Sequence, residues 1–298
     1  MTGAGEPGGR WLITGAGGVL GRELADVLRG AGREFAAPPR AELDVTDTAA
    51  VRAAVLRHRP RVLVNCAAWT RFHEAEAHED DARRVNGDAV RGIAEVCAET
   101  GVRLVHVSTD YVFDGGARCP YAEDAPPAPL NAYGRTKLAG ERAVADVLSD
   151  AGTIVRTAWL HSRYGTDFVS MMVEAERTRE TVDAVDDERG QPTWAADAAH
   201  RIAALAARGA TGVFHATNAG SATRHELARE VFRLLGADPD RVRPVDGGRF
   251  PGPGRRPRYT VLGHGAWERA GLPPMRHWRD ALAAALPRSA GQAGRTAV

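Results

Sequence analysis

Short apolar runs alternate along the chain with longer stretches in which apolar residues recur at helical spacing. Arg10 to Thr14 is the first run, closed by glycines, and Arg22 to Leu28 then carries apolar residues at the period of a helix. The same pattern predicts strands at Arg33–Ala37, Arg61–Asn65, Val102–Val107 and Thr153–Arg156. Helices are expected up to about Arg59, from about Glu79 to Glu99, and from Tyr133 to about Leu148. Strands and helices alternating at these lengths predict an α/β fold with a doubly wound parallel sheet. Val62-Leu63-Val64 is apolar without interruption, as expected of a parallel strand covered on both faces. The later part is mixed. Thr181–Val185 and Val213–His215 read as short strands, Ala195–Ala207 and Arg224–Leu235 as helices, and the Pro/Gly/Arg-rich stretch Arg243–Arg258 as loop, together a smaller C-terminal lobe.

In an open parallel sheet, ligands bind beyond the carboxyl ends of the strands at the switch point. Gly15, Ala67, Ser108 and Trp159 all follow strand ends, so they are expected to line one crevice. Gly15, Gly18 and Gly21 form a G-x-x-G-x-x-G turn between the first strand and the first helix. The first glycine permits a tight turn, the second lets backbone approach a pyrophosphate, and the third lets helix pack on strand. The phosphates would meet the free N–H groups and positive end of the helix. The chain therefore divides into a leader (1–9), a dinucleotide-binding domain (10–160), the remaining sheet strands with a substrate lobe (161–286), and a tail (287–298).

Tyr133 and Lys137 stand at i and i+4 and share a helix face. A tyrosine phenol ordinarily ionises near pH ~10, and a fixed cation beside it stabilises the phenolate and lowers that value. Thr109, closing the apolar run before it, offers a hydroxyl to the same oxygen. The three groups suit protonation of an oxygen while a hydride arrives at its carbon.

Composition narrows the alternatives. Over 298 residues the formal net charge is +1 with both signs well mixed, which disfavours nucleic acid as a partner. No apolar run approaches the ~20 residues of a membrane span. The three cysteines, Cys66, Cys97 and Cys119, form neither a Cys-x-x-Cys nor an even-numbered framework, so a reducing cytoplasm is the simplest compartment. His73 and His78 are five apart, about 140° around a helix, which does not suit a zinc pair.

With these motifs in place, the chain resembles the extended short-chain dehydrogenase/reductases and, within them, the dTDP-4-dehydrorhamnose reductases. Tyr133-Gly134-Arg135-Thr136-Lys137-Leu138-Ala139-Gly140-Glu141 is similar to that family's Y-G-x-T-K-L-A-G-E signature, and Gln191-Pro192-Thr193 and Arg255-Arg256-Pro257 match two further landmarks. The resemblance runs from about Arg10 to about Leu286 and implies a Rossmann-type sheet. It implies that Tyr133 gives a proton to a C4 keto oxygen and that Thr109 binds this oxygen. Lys137 would lower the tyrosine pKa and hold the nicotinamide ribose. Gly18, Val19 and Leu20 would contact the pyrophosphate, Asp44 and Val45 the adenine, and Ala67, Ala68, Trp69, Thr70 and Val107 the cofactor nearer its nicotinamide. Asp110, Trp159 and Phe72 would meet the sugar, the indole offering it an apolar face.

Two departures bear on specificity. Where the second strand ends, an acid usually binds the ribose 2′-hydroxyl of NAD; here the chain reads Ala36-Ala37-Pro38-Pro39-Arg40. Arg40 suits a 2′-phosphate, so NADPH is expected, with NADH also open to the family. Phe72-His73-Glu74 replaces the family's usual Val-Asp-Lys, which changes the sugar side. The expected substrate is dTDP-4-dehydrorhamnose, giving dTDP-L-rhamnose, with a modified dTDP-deoxysugar of secondary metabolism as the alternative. A reading of another class is a non-catalytic, nucleotide-sensing subunit, a role the fold serves in the methionine adenosyltransferase regulatory subunit. Some relatives bridge dimers through magnesium held by carboxylates. Glu23 supplies one acid but Ala281–Ala285 none, so no metal is expected, and a homodimer is left open.

Overall fold

The apolar runs of the first half pair with one another. In a computed structural model, which describes residues 9–286, strand β1 (Trp11–Thr14) leads into helix α1 (Val19–Gly30), followed by β2 (Phe35–Ala36), α2 (Thr48–His58) and β3 (Val62–Asn65). Two short helices, α3 (Phe72–Ala75) and α4 (Glu79–Arg83), continue through a π turn at Arg84–Asp88 into α5 (Ala89–Thr100). Next come β4 (Arg103–Thr109), α6 (Ala132–Leu148), β5 (Thr153–Thr157), β6 (Leu160–His161), α7 (Phe168–Thr178), β7 (Val182–Val185), β8 (Arg189–Gly190) and β9 (Thr193–Trp194). The chain closes with α8 (Ala195–Arg208), β10 (Gly212–His215), β11 (Ala222–Thr223), α9 (Arg224–Leu234), β12 (Val242–Val245), α10 (Gly265–Arg269) and α11 (Trp278–Ala285).

Six strands form one parallel sheet in the order β10-β5-β4-β3-β1-β2. The chain steps from β1 outward to β2 and returns to place β3 on the other side of β1, so the switch point lies between β1 and β3. Trp11, Ile13, Val62, Val64, Val105 and Val155 pack into a core with residues of α1 and α8. Leu12, Leu63, Leu104 and Ile154 point the other way, into a core with α2 and α5. Alternate residues thus serve opposite faces, and both faces are dry, which is why these strands read as unbroken apolar runs. A third core, built from Val169 and Met172 of α7, Val182 of β7, Leu227 and Phe232 of α9, and Trp278 of α11, belongs to the C-terminal region.

Several expectations need correction. The helix expected from Glu79 to Glu99 is broken by the π turn. The second strand is only Phe35–Ala36. Helix α7 was not expected, although Asp167 and Ser170 form a reciprocal capping box at its start. The stretch from Arg243 is not all loop, because β12 pairs in parallel with β7. Pro244 is tolerated there because β12 is an edge strand of a two-stranded ribbon. The expected tail, and the leader apart from Gly9, lie outside the described residues. Among the described residues no helix is long and apolar enough to cross a membrane.

Candidate active site

A cavity of about 560 Å³ opens at the switch point. The glycine turn lines it with Gly15, Gly18, Val19, Leu20 and Gly21, and the segment after β2 with Arg40, Asp44 and Val45. Ala67, Ala68 and Thr70 follow β3 into it, and Val107, Tyr133 and Lys137 close the far side. Gly15 holds φ +68°, and a Cβ there would lie 2.4 Å from the backbone nitrogen of Ala67. Only glycine permits this approach of the turn to the chain leaving β3. The N-cap of α1, Gly18, contributes no side-chain cap, which leaves the first N–H groups of the helix for an anion. Asp44 Oδ1 accepts from Thr46 N at 2.9 Å and Thr46 Oγ1 at 2.7 Å, and these bonds hold its carboxyl below the usual carboxylate range. Trp69 is the exception among the expected cofactor residues. It does not line this cavity, packing instead against Ala75, Ala82 and Ala132.

Tyr133 stands in the first turn of α6. Asn131 caps that turn, accepting from Gly134 N at 2.8 Å and donating to Arg255 O at 3.0 Å. A Cβ on Gly134 would lie 2.1 Å from Tyr111 O, so the glycine after the tyrosine is what lets α6 close on the end of β4. Lys137 follows one turn later, 2% exposed, and its Nζ donates to Val107 O at 2.7 Å. Burial lowers the ammonium to about 8, opposed by Glu141 and Cys66. Thr109, at the end of β4, donates to Asp110 Oδ1 at 3.1 Å and accepts from Tyr111 N at 3.2 Å.

The effect expected of Lys137 on Tyr133 is not what the geometry gives. Burial holds the Tyr133 phenol above its ordinary value, with Asp110 and Tyr111 pushing the same way, and the Thr109 hydroxyl is the neighbour that pulls it down. The lysine donates to the Val107 carbonyl instead. The phenol is therefore kept protonated at neutral pH, which is the form a proton donor needs.

On the other side of Tyr133 lie the residues expected to meet a sugar. Tyr111 and Tyr133 meet edge to face at 6.0 Å, and Phe72 meets Tyr111 likewise at 5.4 Å. Asp110 is 2% exposed, and its Oδ2 has no partner at hydrogen-bonding distance. Burial pushes this carboxyl up to about 6, against the pull of the Thr260 and Thr109 hydroxyls and of Arg224. Trp159 adopts φ +42°, and a Cβ on Gly190 would come within 2.6 Å of its indole. The indole does not present the open apolar face expected of it, because the Arg224 guanidinium covers it at 3.6 Å from the ring centroid.

Sequence reasoning missed Asn86 and Arg224. Asn86 lies in the π turn and is fully buried. Its side chain accepts from Trp69 N at 2.8 Å and donates to Trp69 O at 3.1 Å and Thr136 Oγ1 at 3.1 Å. Thr136 in turn donates to Tyr133 O at 2.9 Å. One amide thus ties the loop after β3 to the helix that carries the tyrosine. π turns of this kind recur at functional sites, but no residue pattern announced this one. Glu23, weighed above as a metal acid, is buried and accepts from Ser162 Oγ at 2.6 Å.

A glycine-turn cradle that shares one cavity with Tyr133 and Lys137 in a doubly wound sheet, Thr109 standing just beyond that cavity's lining, defines a Rossmann-type oxidoreductase of the extended short-chain class. Comparison with known proteins narrows this. Residues 9–290 match the family described as RmlD substrate binding domain. The chain is 60% identical over 278 residues to the dTDP-4-keto-6-deoxy-D-glucose reductase of Streptomyces niveus, covering 93% of this chain and 96% of that protein. It is 52% identical over 294 residues to the dTDP-4-dehydrorhamnose reductase of Streptomyces griseus, covering 97% of each. The crystal structure of the Bacillus anthracis dTDP-4-dehydrorhamnose reductase in complex with NADP superposes with a TM-score of 0.90 at 33% identity, covering 93% of this chain and 98% of that one. The chain belongs to the dTDP-4-dehydrorhamnose reductase family.

Proposed function

We propose that this protein is an NADPH-dependent 4-ketoreductase of a dTDP-4-keto-6-deoxyhexose, converting dTDP-4-dehydrorhamnose to dTDP-L-rhamnose. The observation that carries the reading is the half-buried Tyr133, one helical turn before Lys137 on the wall of a cavity shaped by Gly15 and the uncapped end of α1. The cavity suits a dinucleotide: free helix N–H groups for the pyrophosphate, Asp44 and Val45 toward the adenine, and Lys137 toward the ribose hydroxyls. NADPH bound there supplies the hydride. Thr109 holds the C4 keto oxygen, and Tyr133 gives its phenolic proton to that oxygen as the carbonyl becomes an alcohol. The phenolate left behind takes a proton from solvent before the next turnover.

The Streptomyces niveus relative favours a second reading within the same chemistry, in which the substrate is another dTDP-deoxysugar. The test follows reduced-nicotinamide absorbance with dTDP-4-keto-6-deoxyglucose, with and without a 3,5-epimerase. Turnover only with the epimerase supports the L-sugar, and turnover without it supports the D-sugar. No turnover with cofactor still bound returns weight to a modified deoxysugar or to the nucleotide-sensing subunit.

Arg40 carries the cofactor preference. Its side chain is 84% exposed and its ion pair with Asp44 is long, at 4.0 Å, so it can turn to meet a 2′-phosphate. Arg40→Ser is expected to raise KM for NADPH about tenfold, as for one lost charge-assisted bond, while KM for NADH stays within twofold. Equal effects on both cofactors would remove Arg40 from the 2′-phosphate site.

A further inference from the structure

The residue directly before Tyr133 is held from outside its own helix. Ala132, the first residue of α6, donates its backbone N–H to Glu76 Oε1 at 2.6 Å, across 56 residues of chain. Glu76 stands just past the end of α3. The first N–H groups of a helix have no partner within it and must find one elsewhere. Asn131 meets part of that need, its side chain accepting from Gly134 N at 2.8 Å and its carbonyl from Arg135 N at 2.9 Å. Those bonds are local and travel with the helix. The bond to Glu76 does not: it fixes where the first turn of α6 lies against α3.

The surroundings of Glu76 favour this bond. Its side chain is 23% exposed, and Gly254, at φ +86°, closes over it so tightly that a Cβ there would lie 3.1 Å from Glu76 Cγ and Oε1. The nearby guanidinium of Arg135 is 3.8 Å from Glu76 and is gripped by Glu79 at 2.8 and 2.7 Å. Beneath the turn, Ala75, Ala82 and Ala132 are fully buried, with Tyr133 packed against them. Contacts between methyl groups are weak one by one and have little direction, so the hydrogen bond is what orients the turn. Glu76 does not line the cavity, and its influence there passes through Tyr133. A misplacement of about 1 Å at a reacting group costs on the order of 10² in rate. We infer that Glu76 is a positioning residue, clamping the first turn of α6 so that the Tyr133 phenol meets the keto oxygen. The inference rests on the reading of Tyr133 as the proton donor.

The test measures kcat, KM and NADPH affinity in Glu76→Gln, Glu76→Asp and Glu76→Ala, with the unfolding midpoint as a control of fold. Glutamine keeps the reach and an acceptor oxygen without the charge. Aspartate keeps the charge but is one methylene short, and alanine has neither. Glu76→Gln is expected to keep kcat within about threefold of wild type, and the other two to lose about 10- to 100-fold, with KM and NADPH affinity little changed in all three. In a Tyr133→Phe background Glu76→Ala should cost less than about twofold more, because the clamp has no phenol left to place. Full activity in Glu76→Ala, equal losses in Glu76→Gln and Glu76→Ala, or an undiminished loss in the Tyr133→Phe background overturns the inference. If Glu76→Ala does not fold, the contrast between Glu76→Gln and Glu76→Asp decides the matter. Hydrogen exchange of the Ala132 amide, read without substrate, should be at least about tenfold faster in Glu76→Asp than in Glu76→Gln, and equal rates overturn the clamp. The two readings fail differently. No reduction of keto-sugar by wild type sinks the proposed function while the exchange still decides the clamp, whereas reduction indifferent to Glu76 sinks the clamp and keeps the function.

Discussion

Tyr133→Phe is expected to lower kcat by about 10² or more, the usual scale for losing a general acid, with NADPH affinity unchanged. The substitution removes one oxygen and little else. The Tyr133 ring packs with Ala75, Ala82 and Ala132 and meets Tyr111 edge to face, and a phenylalanine keeps each of these contacts. Its backbone carbonyl, which receives the Thr136 hydroxyl, is untouched. The fold should be as stable as wild type, since the half-buried ring keeps its packing when the hydroxyl is lost. Steady-state consumption of NADPH with the keto-sugar gives kcat, and fluorescence titration gives the cofactor affinity. Turnover within a few fold of wild type would show that the proton comes from elsewhere. A parallel loss of cofactor binding would show that the phenol holds the dinucleotide rather than the reacting oxygen.

What the chain reveals without its structure follows from which forces act locally. The sheet is legible because Leu12, Leu63 and Leu104 on one face and Ile13, Val64 and Val105 on the other are all buried, so burial shows in every residue of each strand. The glycine turn is legible because backbone geometry restricts the residue type, as Gly15 shows. The Tyr133 and Lys137 pair is legible because helical spacing alone puts them on one face. Spacing does not set a rotamer, however, and the lysine turns to the Val107 carbonyl rather than acting on the phenol. Asn86 was hidden because a π turn inserts a residue within an otherwise regular helix, and an asparagine there reads as a solvated position. Arg224 was hidden because Thr223 and Glu226 form an ordinary capping box around it, a sufficient local reason for a polar first turn. Its stacking on Trp159 depends on bringing α9 against the segment after β5. Trp69 and Trp159 show the same limit: the family resemblance puts an aromatic near the site, but packing decides which ring faces a ligand.

Asp110→Asn is expected to stabilise the protein near pH 8 by about 2 kcal/mol while weakening sugar binding. Burial pushes this carboxyl from an ordinary 3.8 up to about 6 in the folded chain. A carboxyl raised on folding is harder to ionise there than in the unfolded chain. Below pH ~4 it is protonated in both states and has no effect on stability; above about pH 6 the folded state bears the whole penalty. A folded pKa one pH unit above the unfolded one costs ~1.4 kcal/mol, and the buried amide that replaces the carboxylate gives back a part of the relief as its own desolvation. The gain should therefore appear fully near pH 8 and shrink between pH ~6 and ~4. Urea unfolding at the two ends of that window measures it. An equal gain at both ends would show that ionisation of Asp110 is not its source. The activity should move the other way. Oδ2 is buried without a partner, next to Thr109, the proposed binder of the keto oxygen, so it is proposed to accept from a sugar hydroxyl; an asparagine able to turn its amide nitrogen there offers a donor instead. The expected result is a higher KM for the keto-sugar with NADPH affinity unchanged, so that stability given up in the free protein is recovered as binding of substrate.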